Sequence, residues 1–211
     1  MAFPGLIKAN NLSDVVNKEK AWDNLGANIK PPLSYSADAA VDLYNSLSSP
    51  TNPNGVWAYG FTTSLGSTSM TLVTTPNSSG LGWDGPGTFA TPFFYVVNSD
   101  IYSHTPVGLG GLGSRVTVIR WTSPFTGNKT IQIEAAFIKL YSTGGDGVNP
   151  RIYKETELIY DAGTVNSLTV ASSFAGKTAV SSGQRIFFQV FDNGGIDYDQ
   201  FSYRYIRISA I

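Results

Sequence analysis

Strand-like runs follow one another along most of this chain with no long helical stretch between them, and that succession is the strongest constraint on the fold. Residues 56–61, 69–75, 91–97, 116–124, 130–141, 151–160, 167–172, 183–192 and 200–208 carry β-branched or aromatic side chains at roughly period two. Clusters of Gly, Asn, Ser and Pro separate them. Parallel strands need long crossovers, usually helical, and none is available here. The economical solution is all-β: an antiparallel β-sandwich with jelly-roll-like wiring. With 22 Gly and 11 Pro in 211 residues, the composition also favours strands and turns over helices.

Ahead of these strands lies a polar leader. Residues 1–10 read as an extended arm with a turn at Pro4-Gly5. From Asn17 the chain reads as a helix of about two turns: Asn17 caps it, Lys18-Glu19-Lys20-Ala21 favour it, and Gly26 closes it. Ala21, Trp22 and Leu25 form a narrow apolar stripe. So short a helix is unstable alone in water, so the stripe has to rest on its own domain or on another copy of the chain. Pro31-Pro32 mark a linker. The expected organisation is an attachment arm with a short helix over 1–30 and a β-sandwich head over 31–211. Residues 37–47 fit either a helical turn or an opening strand.

Two segments carry family resemblances. Asn11, Leu12, Ser13, Asp14, Asn17, Lys18, Ala21, Asn24, Leu25 and Gly26 resemble a short segment of bacteriophage tail-fibre and virion-appendage proteins. Trp22 departs from that pattern, which more often has a small or polar residue there. In that family the segment belongs to trimeric fibres, at the junction between an attachment region and a β-rich head. The resemblance implies a structural virion protein, a homotrimer that attaches by its N-terminus to other virion proteins. Its attachment or oligomer contacts would be Leu12, Val15, Ala21, Trp22 and Leu25. It also implies assembly in the host cytoplasm and release by lysis, and Met1–Lys8 has neither the charged leader nor the apolar run of a secretion signal.

The second segment, Asn52-Pro53-Asn54-Gly55-Val56-Trp57-Ala58-Tyr59-Gly60, pairs dense turn chemistry with an alternating strand. It resembles the start of a β-sandwich module of bacterial and phage surface proteins, itself similar to jelly-roll carbohydrate-binding domains. Residues 116–124 and 183–192 fit that module loosely. A His-Pro step occurs near this point in the module, whereas here Thr105 separates His104 from Pro106.

Composition excludes several functions. The net charge is −1, so there is no basic face for nucleic acid. No apolar run approaches the ~18 residues of a membrane-spanning helix. With no cysteine, disulfides have no part in stability. A serine triad would depend on His104, the only histidine, and no Gly-x-Ser-x-Gly elbow is present. The glycine run at 108–113 lacks the strand, helix and Lys-Ser/Thr of a phosphate cradle. No cofactor and no catalytic residue is therefore expected.

Sugar recognition remains, because exposed rings stack on the apolar faces of sugars while amides and carboxylates bond their hydroxyls. Two long loops are expected, 76–92 and 98–114, and long loops often carry function. Trp83 and Tyr102 in these loops, and Tyr198, are the candidate glycan contacts, with host-surface polysaccharide as the ligand. Trp57 and Trp121 lie in strands and belong to the core. Asp192, Asp197 and Asp199 form a calcium candidate without the EF-hand spacing. The leading expectation is a short trimeric fibre. The alternatives are a capsid decoration protein and a free carbohydrate-binding module or glycan-cleaving enzyme.

Overall fold

Alternation in the strands places one set of side chains on each face, and in a computed structural model these sets close two antiparallel sheets on one another. The structure describes residues 35–45, 51–76, 82–84, 93–104, 116–140, 146–192 and 200–211. They belong to one unit, Tyr35–Ile211. The arm and helix expected over 1–30, with Leu12, Val15, Ala21, Trp22 and Leu25, lie outside the described residues.

Among the described residues, sheet I has eight strands. Its path runs β12 (Ser172–Val180), β9 (Lys129–Lys139), β14 (Gln200–Ala210), β7 (Asp100–His104), β6 (Phe94–Val97), β5 (Gly82–Asp84) and β4 (Thr75–Pro76), with β1 (Ser36–Asp38) pairing β14. Sheet II has six, in the order β11 (Glu157–Asp161), β10 (Val148–Lys154), β13 (Arg185–Asp192), β8 (Val116–Thr122), β2 (Trp57–Thr62) and β3 (Thr71–Leu72). Every pairing is antiparallel. The antiparallel sandwich expected from the sequence is the fold.

The core lies between the sheets. Trp57, Tyr59 and Phe61 of β2, Ile119 and Trp121 of β8, and Ile186, Phe188 and Val190 of β13 face inward from sheet II. Ile131, Ile133, Ala135 and Phe137 of β9 meet them from sheet I, with Phe201, Tyr203, Ile206 and Ile208 of β14. Tyr203 and Ile206 are three residues apart, so strict alternation would place them on opposite faces. The register shift between Tyr203 and Tyr205 resolves this, since a bulge takes up one residue and leaves Arg204 exposed.

Residues 37–47 contain both of the elements the sequence left open. Ala37 ends up in β1, and α1 follows at Ala39–Asn45. Asp38 makes the switch, its Oδ1 accepting the N–H groups of Ala40 and Val41 at 3.1 and 3.2 Å as an N-cap. Its Oδ2 pairs with Arg207 Nε of β14 at 2.9 Å, which ties the helix start to the sheet.

Five expectations change. The run 69–75 is divided between β3 of sheet II and β4 of sheet I, and the loop expected at 76–92 contains β5. The run 151–160 is a hairpin rather than one strand, turning at Glu155, whose φ is 51°. The strand expected at 167–172 begins instead at Ser172 and continues to Val180. The loop expected at 98–114 contains β7, reached through a tight turn in which Asn98 and Ser99 take φ of 52° and 71°. Two consecutive left-handed residues match the right-handed twist of the flanking strands.

Candidate functional site

Strands β5, β6 and β7 order their side chains by simple alternation. Phe94, Val96 and Ile101 point into the core. Their neighbours Phe93, Tyr95, Tyr102 and His104 therefore stand on the outer face of sheet I, all half-buried. Register makes them contiguous: Tyr95 lies opposite Tyr102, and Phe94 opposite Ser103. Phe93 and Tyr95 are stacked, with centroids 4.6 Å apart and planes at 14°. His104 closes the end of the strip, 6.0 Å from Phe93.

Polar groups flank these rings. Tyr95 Oη donates to Asp84 Oδ1 at 2.5 Å, so the carboxylate of β5 fixes the ring next to it. Gly82 permits that closeness: a Cβ there would lie 1.6 Å from the Phe94 carbonyl oxygen, so a larger residue would push β5 away from β6. On the other side Asp100 Oδ2 pairs with Arg204 at 3.0 Å and accepts from Ser202 Oγ at 3.2 Å. Burial raises the Asp100 carboxyl above its ordinary range, while Arg204 and Ser202 pull it back. The result is a row of rings between two carboxylates, each already engaged in holding a neighbour.

Tyr102, expected as a glycan contact, is part of this strip. The exposed position expected for Trp83 is corrected. In β5 it takes the inward place opposite Phe94 and is 2% exposed. Alternation across three residues put Asp84 outside and the indole inside. Its Nε1 is sealed from solvent with no hydrogen-bond partner. Tyr198, Asp197 and Asp199 lie outside the described residues. Asp192 is buried at the end of β13. Among the described residues no group of three or more potential ligands is placed to hold a metal. Trp57 and Trp121 are both fully buried, as expected.

Phe93, Tyr95 and Asp84 were missed by sequence reasoning. A signal existed: residues 93–96 read Phe-Phe-Tyr-Val, aromatic on both faces, so one ring pair had to point away from the core. A separate concavity of about 290 Å³ lies between α1 and the β6–β7 turn, lined by Ala40, Val41, Val96, Asn98 and Ser99. It is mainly apolar and does not include the rings.

The outer face of sheet II differs. Residues 63–70 cross it, and the fully buried Gln189 holds them there. Its Oε1 accepts the Gly66 N–H at 2.8 Å and its Nε2 donates to the Ser67 carbonyl at 3.0 Å. Leu65 and Met70 of this crossing pack on Val116, Val118, Tyr153 and Phe187, a second small core.

No protein-family model matches the sequence, and no curated protein matches it either. Several solved structures are similar in outline. The EclA C-terminal domain, a sugar-binding protein, gives a TM-score of 0.34 at 10% identity, over 42% of this chain and 64% of that one. The chain thus spans a little under two thirds of that domain. A family 35 carbohydrate-binding module from Clostridium thermocellum gives 0.30 at 13% identity, over 56% and 98%. CBM51 from Clostridium perfringens GH95, in complex with methyl-galactose, gives 0.41 at 12% identity, over 82% and 99%. None of their residues is carried over to this chain.

Proposed function

We propose that the described sandwich is a non-catalytic glycan-binding head, and that the ring strip of β6–β7 is its contact face. The carrying observation is the contiguous row of His104, Phe93, Tyr95 and Tyr102 on an outer sheet face, with Asp84 bonded to Tyr95. Rings present apolar faces and edges to sugar C–H groups, and the neighbouring carboxylates accept from sugar hydroxyls. Fixing the rings in advance limits the ordering cost of binding. Asp84 and Asp100 each hold a neighbour, which supports recognition rather than acid–base work.

A glycan array followed by calorimetry on the best uncharged binder tests this. Tyr95→Ala is expected to weaken binding by roughly tenfold, the scale of one lost ring contact. Unchanged affinity in a folded Tyr95→Ala variant would contradict the assignment.

The head is further proposed to belong to a tailed-phage appendage, attached through residues 1–30 and trimeric. That part is supported by the resemblance of residues 11–26. Three heads would add avidity to a weak single site. Deleting residues 1–30 should abolish incorporation into particles and leave the sandwich folded. Retained incorporation would defeat it.

A further inference from the structure

We propose that Arg120, on the outer face of sheet II beyond the crossing of 63–70, is a binding site for a carboxylate group, with an acidic sugar as its source. This site is separate from the ring strip; the acidic-sugar source rests on the glycan-binding reading, whereas the carboxylate site itself does not. Arg120 lies opposite Ala58 in β2 and Phe187 in β13, both buried, and is itself half-buried. Its Nε is sealed from solvent and has no hydrogen-bond partner. None of the ion pairs among the described residues involves it.

The surroundings explain why no internal partner serves. Arg185 stands diagonally across on the same face, its guanidinium 5.3 Å from the Phe187 ring centroid. It takes up Glu155 almost completely: Arg185 Nη2 meets Oε2 at 2.6 Å, Nε reaches both oxygens, and the Arg185 N–H donates to Oε1 at 2.8 Å. Farther along the face Arg151 pairs with Asp161 at 2.9 Å. Three arginines thus share two carboxylates, and Arg120 is the surplus charge. A half-buried cation without a partner is unfavourable, and arginine does not escape by losing its proton. Burial and then Arg185 depress its proton affinity, against the attraction of Glu155, so an arriving anion relieves existing tension.

Because Nε is closed off, a ligand meets the outer edge of the guanidinium, where two terminal nitrogens present parallel donors to a planar carboxylate. Phosphate, tetrahedral and more highly charged, does not need that planar match. A carboxylate reaches this face either on a sugar ring or as a small free acid, and the test separates these.

The test follows side-chain 15N resonances of arginine in the full chain during titration with sodium glucuronate, sodium acetate, glucose and inorganic phosphate at constant ionic strength. Glucuronate is expected to shift the Arg120 signals saturably, acetate to shift them with affinity lower by about tenfold, and glucose to leave them still. Equal responses to acetate and glucuronate would overturn the acidic-sugar source. A response to phosphate alone, or to no anion, would overturn the site. Arg120→Gln should abolish the response and Arg120→Lys should weaken it roughly tenfold through loss of the paired donors. Persistence of binding in folded Arg120→Gln would also overturn it. Glu155→Gln leaves Arg185 without its counter-charge and should tighten glucuronate severalfold, a gain that mere structural damage would not produce. If the Arg120 variants fail to fold, the titration of the unmodified chain decides alone.

Discussion

The outer faces of the two sheets began with the same material and ended differently. Both carry aromatic residues at outward positions: Tyr95 and Tyr102 on sheet I, Tyr153 and Phe187 on sheet II. On sheet II the chain returns over its own strands, and Phe187 is fully buried in the cluster on which Leu65 and Met70 pack. On sheet I the rings stay half-buried, with Tyr95 stacked on Phe93 and bonded to Asp84. An outward ring on a strand thus has two fates. Covered by a crossing segment it becomes core, and with no described segment over it, it stays half-buried. The charge inventories diverge too, with a surplus arginine on sheet II and engaged aspartates on sheet I.

The strongest way to break the contrast is to hollow the covered face. Phe187→Ala should destabilise the fold by about 3–5 kcal/mol, the usual cost of deleting a buried ring. Denaturant unfolding would show it, while glycan affinity of the remaining folded protein stays as it was. If that substitution instead costs almost nothing, the second core is not a core.

Trp83→Phe probes the boundary between the two fates. It shrinks a buried side chain but also removes an N–H that has no partner, so the net loss should stay near ~1–2 kcal/mol. Glycan affinity should not move, because the ring faces inward. A specific loss of binding would return Trp83 to the surface role that its position in β5 denies it.

On the ring-strip face the balance reverses. Tyr95→Ala should cost less stability than Phe187→Ala, about 1–3 kcal/mol, since its ring is only half-buried, and take about a tenfold toll on binding. A large stability loss with intact affinity would make this face structural as well.

The smallest effect concerns Glu155. The Arg185 side chain holds its carboxyl below the usual glutamate range, opposed by burial. A lowered folded-state value means the pair stabilises the protein above the unfolded glutamate's titration and loses that contribution as pH falls through the folded value. The window is therefore acidic, below about pH 4.3. Solvent screening of this one-third-exposed pair keeps the contribution under ~1 kcal/mol. Urea midpoints of Glu155→Gln and the parent chain should differ at pH 7 and draw together as pH falls below about 4.3.

Much of the fold was legible because β-branched and aromatic residues concentrate in the heavily buried strands β2, β8, β9, β13 and β14. That signal failed where packing gave little reward to pattern. Strand β12 contains Ala175, Gly176, Lys177 and Ala179, poor strand formers that an exposed edge tolerates and β9 holds in register. Strand β7 was hidden because Asn98 and Ser99 form a hairpin turn without the glycine that usually announces one. The site was half-readable. Tyr102 was identified from its ring and setting, but β5 is only three residues long, and nothing local says which side of it faces out. That single ambiguity exchanged Trp83 for Asp84. The bulge in β14 is likewise invisible locally, since only the opposing sheet reveals that Tyr203 and Ile206 share a face.

The most direct test of the glycan-face assignment is an aromatic-ring NMR titration with the best uncharged ligand from a glycan array, which the Arg120 site does not take. Phe93, Tyr95 and Tyr102 resonances are predicted to shift together and saturate at one affinity, with Phe187 and Tyr153 unmoved. Saturable glycan binding that moves Phe187 or Tyr153 and leaves the β6–β7 rings still, or a full array without any binder, would contradict the account.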